Sequence, residues 1–124
     1  MNVLIIDEAE SVRVRLAEAL RELDGLEVGS FSPRSRNCIE DVRECRADVV
    51  VVDIHMGPNG LDVLRALKRG SNAPVVIALS TTSTPQYRSA CLRAGAEYFF
   101  DKLHEQELLV ETIRALHCRK AAAL

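Results

Sequence analysis

Along the chain, short apolar runs alternate with longer stretches in which apolar residues recur every three or four positions. The runs from Asn2 to Ile6, Leu26 to Phe31, Asp48 to Val52, Val75 to Leu79 and Glu97 to Phe100 predict strands. Several are apolar at every position, as parallel strands covered on both faces must be. Between them, Val12, Leu16, Ala19, Leu20 and Leu23 make one stripe of a first helix, with Arg13, Arg15, Glu18 and Glu22 turned away. Cys38, Ile39, Val42 and Cys45 mark a second helix, and Leu61, Leu64 and Leu67 a third that ends near Gly70. Tyr87, Ala90, Cys91 and Ala94 mark a fourth, with Ser83 or Thr84 as cap, Pro85 in the first turn and Gly95 as the stop. Leu109, Ile113 and Leu116 mark a fifth, with Arg119 and Lys120 where a helix end favours cations. Five β–α repeats with right-handed crossovers predict an α/β fold, a doubly wound parallel sheet with helices on both faces.

Composition narrows this picture without redirecting it. At 124 residues the chain fits one compact domain that needs no disulfide or structural metal. Sixteen basic and 18 acidic residues leave a net charge of −2, which advertises neither nucleic acid nor a membrane surface as the direct partner. No run is long enough to span a membrane, and MNVLIIDEAE lacks the basic segment of a signal peptide, so a cytoplasmic location is expected. Cys38, Cys45, Cys91 and Cys118 have no C-x-x-C spacing, sit in helical stretches and are expected to be small buried residues.

In a sheet of this kind the functional crevice opens off the carboxyl ends of the strands. The first strand runs into Asp7-Glu8, the third into Asp53, the fourth into Ser80 and the fifth into Asp101-Lys102, while Phe31-Ser32 after the second adds nothing evident. Three carboxylates gathered at one edge repel one another unless a cation lies among them. Oxygen donors alone suit Mg²⁺ with retained waters better than zinc or copper. A lysine and a hydroxyl beside them could engage phosphoryl oxygens, and a carboxylate can itself accept a phosphoryl group as an acyl phosphate. Asp53, the central one, is the natural acceptor.

With the segments VLIIDEAESVR, VVVVDIHMGPNGLDVLRALK, PVVIALS and LRAGAEYFFDK in this order and spacing, essentially the whole chain resembles the response regulator receiver domains of two-component signalling. The resemblance implies a flavodoxin-like sheet of order 2-1-3-4-5. It also implies Mg²⁺-dependent transfer of a phosphoryl group from a histidine kinase or phosphotransfer protein to Asp53, followed by hydrolysis. By position, Asp7 and Glu8 match the acidic metal-binding pair, and the backbone carbonyl of His55 a further metal ligand beside Asp53. Ser80 matches the hydroxyl that senses the phosphoryl group, Lys102 the salt-bridging lysine and Phe99 the aromatic whose rotamer tracks activation. The family's output surface falls around Tyr87–Ala94 and Leu108–Leu116, a candidate contact for a downstream protein or a homodimer.

Four positions depart from the family's pattern. Glu8 stands where Asp is commoner, lengthening that ligand by one methylene. The loop HMGPNG carries Gly57 where Pro is usual and is one residue short before Gly60. Leu103 follows Lys102 where many members have proline, and a cis bond without proline costs roughly 3 kcal/mol. One extra residue separates Pro74 from Ser80, so Thr81 and Thr82 compete for the hydroxyl role; downstream spacing favours Ser80. Each site residue also has a plainer reading: Asp53 as a turn cap, Asp7-Glu8 as acids at a helix start, Ser80 as part of a polar loop, Lys102 as a surface lysine, Phe99 as core. His55 has no second His or Cys near it in sequence and is expected to line the mouth of the site, where it would influence dephosphorylation.

After Leu116 only HCRKAAAL follows, so the expected arrangement is one receiver domain over residues 1–124 without an output domain, acting through an interaction surface. The main alternative is a binding module of the same fold that is not phosphorylated. An aspartate-nucleophile phosphohydrolase would want D-x-D where this chain has Asp7-Glu8-Ala9. A dinucleotide site would want glycines in the turn that reads DEAES.

Overall fold

A computed structural model describes residues 1–32, 38–55 and 60–123. Its elements run β1 (Asn2–Ile6), α1 (Glu10–Arg21), β2 (Glu27–Phe31), α2 (Cys38–Glu44), β3 (Val49–Asp53), α3 (Gly60–Leu67), β4 (Val75–Ser80), α4 (Pro85–Arg93), β5 (Tyr98–Asp101) and α5 (Gln106–Ala123). The five strands form one parallel sheet of order β2-β1-β3-β4-β5. Strand boundaries differ from the sequence expectation by one residue at several ends. The shift matters at three of them: Asp53, Ser80 and Asp101 are the last paired residues of their strands rather than the first loop residues.

The period-2 alternation of strand side chains explains both the all-apolar runs and the site. On one face Leu4 and Ile6 of β1 and Val50 and Val52 of β3 pack with α2, α3 and α4, together with Phe99. On the other, Val3, Ile5, Val49 and Val51 pack with α1 and α5 around Leu16, Leu20, Leu109 and Ile113. Val52 of the central strand pairs with Ile6 and Ala78 on either side. Asp7 continues the Val3-Ile5 series, Asp53 the Val49-Val51 series, and Lys102 follows Phe100 by the same rule. All three polar groups therefore belong to the α1/α5 side of the sheet. Ser80 instead continues the series of Val76 and Ala78, on the side covered by α4.

Several local expectations change. On α1 the buried residues are Leu16, Ala17 and Leu20, with Val12 and Leu23 packed at the margin. Arg13 does not turn away: its guanidinium reaches back to donate to the carbonyls of Asp7 at 2.6 Å and Glu8 at 3.2 Å. Thr84, not Ser83, caps α4, accepting a 3.3 Å bond from the Tyr87 amide. Gly95 has φ +118, the left-handed stop that follows α4. Among the described cysteine side chains Cys91 is buried, whereas Cys45 and Cys118 are exposed, because Cys45 lies just past α2 and Cys118 on the outer face of α5. The side chain of Cys38 lies outside the described residues, as do Gly57, Pro58 and Asn59 of the loop after Asp53. Among the described residues no helix is long and apolar enough to cross a membrane.

Gly60 opens α3 within reach of the β3 end. A Cβ there would fall 1.8 Å from the carbonyl oxygen of Ile54, the residue after Asp53. Backbone cannot swing aside as a flexible side chain does. Gly60→Ala is therefore expected to lower stability by about 1–3 kcal/mol, read as a lower urea midpoint.

At the opposite edge, the Asp48 carboxylate accepts from the Asn2 amide at 2.7 Å and pairs with Lys120 of α5 at 2.5 Å. Burial alone would raise its pKa, but the amide and the ammonium outweigh burial and hold it below the ordinary value. A depressed carboxylate stabilises above its unfolded pKa and loses that contribution as pH falls through the folded one. The stability gap between parent and Asp48→Asn is thus expected to be below about 1 kcal/mol at neutral pH for so exposed a pair. It should close in acid, below about pH 4, the ordinary range of an aspartate.

Candidate phosphoacceptor site

The carboxyl ends of β1, β3, β4 and β5 meet around Lys102. Its ammonium lies 2.8 Å from Asp7 Oδ2, 3.0 Å from Asp7 Oδ1 and 3.0 Å from Asp53 Oδ2. Lys102 is fixed by its own backbone, whose amide donates to the Ser80 carbonyl at 2.8 Å and whose carbonyl accepts from Gln106 Nε2 at 3.0 Å. Asp7 is fully buried and Asp53 nearly so. Burial alone would depress the Lys102 pKa, yet the hydrogen bonds and charges of the two aspartates outweigh it and raise the pKa above its ordinary value. One ammonium thus holds two buried carboxylates together.

Each carboxylate is also tied to backbone. Asp7 Oδ1 accepts from the Ala9 amide at 2.8 Å and Asp53 Oδ1 from the His55 amide at 2.9 Å, both turn-type bonds two residues along the chain. Asp7 Oδ2 touches the ammonium as an ion pair but makes no hydrogen bond, and it is buried. A buried oxygen with a lone pair uncommitted is one a hard cation could use. Glu8, next in sequence, is exposed. Among the described residues no three His, Cys, Asp or Glu side chains cluster closely enough to hold a metal by themselves. Asp7 and Asp53 are the two carboxylates that could hold Mg²⁺, with waters completing the shell.

Ser80 is fully buried, whereas Thr81 and Thr82 are exposed, so of the three hydroxyls only Ser80 sits inside the site. Its Oγ donates to the Thr82 carbonyl at 2.8 Å and accepts from the Thr82 amide at 2.9 Å. His55 Nε2 lies 2.8 Å from the same Oγ. Because the hydroxyl proton already goes to Thr82, the bond to His55 is satisfied by the Nε2–H tautomer donating to Ser80. The His55 ring stacks on Tyr87 of α4, with centroids 5.6 Å apart and an interplanar angle of 6°. Tyr87 in turn meets Phe99 edge-on at 6.5 Å, and the Arg88 guanidinium lies over Phe99 at 5.7 Å. Phe99 is buried on the α4 side of the sheet.

Asp101, grouped with Lys102 at the end of the fifth strand in the sequence reading, turns to the following loop and accepts from the Leu103 and His104 amides at 2.8 and 3.0 Å. No described peptide bond is cis, the one before Leu103 included. Asp7, Asp53, Ser80, Lys102 and His55 thus come together, Phe99 lies one layer behind, and Glu8 stays at the rim. Sequence reasoning missed Arg13, the Ala9 amide and the His55–Tyr87 stack. The first could have been noticed as a basic residue in the first turn of the helix that follows two acids; the stack depends on tertiary placement of α4.

The sequence profile of the response regulator receiver domain matches residues 3–114. The chain belongs to this family. Relatives include the response regulator GacA of Pseudomonas aeruginosa, 28% identical over 115 residues, covering 92% of this chain and 54% of GacA. The transcriptional regulatory protein PrrA of Mycobacterium leprae is 34% identical over 122 residues, covering 98% of this chain and 52% of PrrA. The chain spans about half the length of these relatives. Among solved structures, the signal receiver domain of a DNA-binding response regulator from Colwellia psychrerythraea superposes with a TM-score of 0.83 at 24% identity, covering 94% of this chain and 97% of that one. Membership of the receiver family assigns the chain to two-component signal transduction, and the flavodoxin-like order 2-1-3-4-5 agrees with the receiver neighbours.

Proposed function

We propose that the chain is a phosphoacceptor signalling module that takes a phosphoryl group onto Asp53 from a histidine kinase or a phosphotransfer protein in a Mg²⁺-dependent reaction. The observation that carries this reading is the Lys102 ammonium held between Asp7 and Asp53, which presents a carboxylate to phosphorus beside a fixed positive charge. In the forward step an Asp53 oxygen attacks phosphorus, the P–N bond of the donor phosphohistidine breaks, and the electron pair leaves with the imidazole, which takes up a proton. Asp7 and Asp53, with Glu8 and the His55 carbonyl at the mouth, would hold Mg²⁺, which neutralises charge on the transferring phosphoryl oxygens when bound.

Lys102 supplies a hydrogen-bonded cation to a phosphoryl oxygen as Asp53 gives up its charge to the new bond. Ser80 would move its proton from the Thr82 carbonyl to another phosphoryl oxygen, releasing the His55–Tyr87–Phe99 packing that rests on the present hydroxyl position. In the later hydrolysis water attacks phosphorus, the P–O bond to Asp53 breaks with its electron pair restoring the carboxylate, and inorganic phosphate leaves as the attacking water gives up a proton to solvent. The protein would catalyse only its own phosphorylation and dephosphorylation, act in the cytoplasm, and signal through a protein contact on the α4–β5–α5 side, to a downstream target or a second copy.

The exposed Glu8 supports one other reading, a receiver-like binding module that is not phosphorylated. Incubation with acetyl phosphate and Mg²⁺ followed by intact mass separates the two. A gain of one phosphoryl group that hydroxylamine removes is expected; an unchanged mass favours the module.

A further inference from the structure

A cleft of about 980 Å³ lies at the opposite edge of the sheet from Asp53, between the α2–β3 and α3–β4 connections. Asp48, at its wall, and Asp53 stand at opposite ends of β3, roughly 16 Å apart at strand rise. The cleft has a mixed lining. Val42, Ala47 and Leu67 give it an apolar floor, and Ser71 and Asn72 lie on its rim.

Its charge is one-sided. Arg43, Arg46 and Arg69 all line it, and among the described residues none of the three guanidinium groups has an ion-pair or hydrogen-bond partner. The one lining carboxylate, Asp48, is already held by Lys120 and the Asn2 amide. Three unpaired cations therefore face one cavity whose acid is neutralised from outside. Arg46 adds an independent sign. It adopts φ +52 just after α2, closing the helix with its amide on the Arg43 carbonyl at 3.2 Å and the Ala47 amide on the Val42 carbonyl at 3.2 Å. Glycine is the usual residue there, because a left-handed backbone crowds any Cβ. A strained non-glycine at a helix stop, carrying a free cation into a cleft, is better explained by what its side chain does than by the turn.

We propose that this cleft binds a phosphate-bearing small molecule, of the nucleoside polyphosphate class, with phosphates on the three arginines and the apolar portion on the floor. Guanidinium groups match phosphate oxygens in pairs, and a cavity of this volume is at the upper end of what small ligands occupy. The site is remote from Asp53 and requires neither metal nor phosphorylation, so it goes beyond the phosphoacceptor reading.

The test is a titration of the intact chain with ATP, inorganic pyrophosphate and adenosine, in EDTA at low salt, followed by amide NMR shifts. Saturable shifts at Arg43, Arg46 and Arg69 with ATP are expected, and none with adenosine. Weaker pyrophosphate binding assigns a share to the apolar floor; equal binding assigns the site to phosphate groups from any source. Arg46→Gly should weaken ATP binding roughly tenfold, as losing a charged hydrogen bond does, while raising the melting temperature. Arg69→Ala should weaken it similarly with the melting temperature unchanged. No saturable shift at millimolar ATP or pyrophosphate, shifts confined to the Asp53 edge, or binding indifferent to both substitutions would overturn the proposal.

Discussion

Replacing Lys102 by alanine should cost about 3–5 kcal/mol of folding stability and abolish efficient phosphoryl uptake. The ammonium is the shared counter-ion of Asp7 and Asp53, and the three side chains are almost wholly removed from solvent. Without it, two carboxylates remain buried side by side. One of them must then bind a proton or water must enter, and either outcome removes the ionised acceptor or the dry, fixed geometry. The lost stability should depend on pH in a defined sense. A raised lysine pKa means that the ion pair contributes fully at neutral pH, and the contribution disappears only as pH rises through the elevated value in the alkaline range. Added Mg²⁺ should restore stability to Lys102→Ala by a larger increment than to the parent, because a divalent cation then answers the same two charges. Thermal melts at several Mg²⁺ concentrations give both quantities. Equal increments would mean that the metal does not meet the Asp7–Asp53 pair.

Asp53→Asn should remove phosphoryl uptake altogether while leaving the fold intact. The amide oxygen still accepts from the His55 N–H and the side chain fills the same volume; its NH2 cannot accept from Lys102 as Oδ2 does, but Lys102 retains its closer contacts to Asp7. What it loses is the proposed nucleophile, for a neutral amide oxygen cannot form an acyl phosphate. A complete loss of activity with a stability cost well below that of Lys102→Ala separates Asp53 from Lys102, whose removal is expected to damage both. Intact mass after incubation with a phosphodonor, alongside a urea midpoint, checks the pair of outcomes.

Much of this was legible in the sequence because strand patterning is so regular here. VVVVD reads as a central strand, and in a parallel sheet its carboxyl end is where polar groups collect, so Asp53 could be singled out together with Asp7, Ser80 and Lys102. Even the sidedness was available: Asp7, Asp53 and Lys102 continue the residue series that face α1 and α5, and Ser80 the series that faces α4. Less legible were contacts that depend on how helices sit on the sheet. Arg13 belongs to the polar face of α1 by periodicity, yet the helix start brings its long side chain back over the β1 end. The His55–Tyr87 stack links a loop residue to a helix 32 positions away, with no local signal. Cys45 and Cys118 were misjudged, unlike the buried Cys91, because residue type favours burial while placement, just past α2 and on the outer face of α5, decides it. The arginine cleft went unnoticed because Arg69 is far in sequence from Arg43 and Arg46 and meets them only where the end of α2 and the α3–β4 connection lie side by side.

The central claim is that Asp53 itself carries the phosphoryl group. Hydroxylamine converts an acyl phosphate into a hydroxamate that stays on the residue that bore it, so fragmentation mass spectrometry of the treated phosphoprotein names the acceptor. A hydroxamate on Asp53 within VVVVDIH is the expected result; one on Asp7 or Glu8, or a phosphoryl group found on His55, would contradict it.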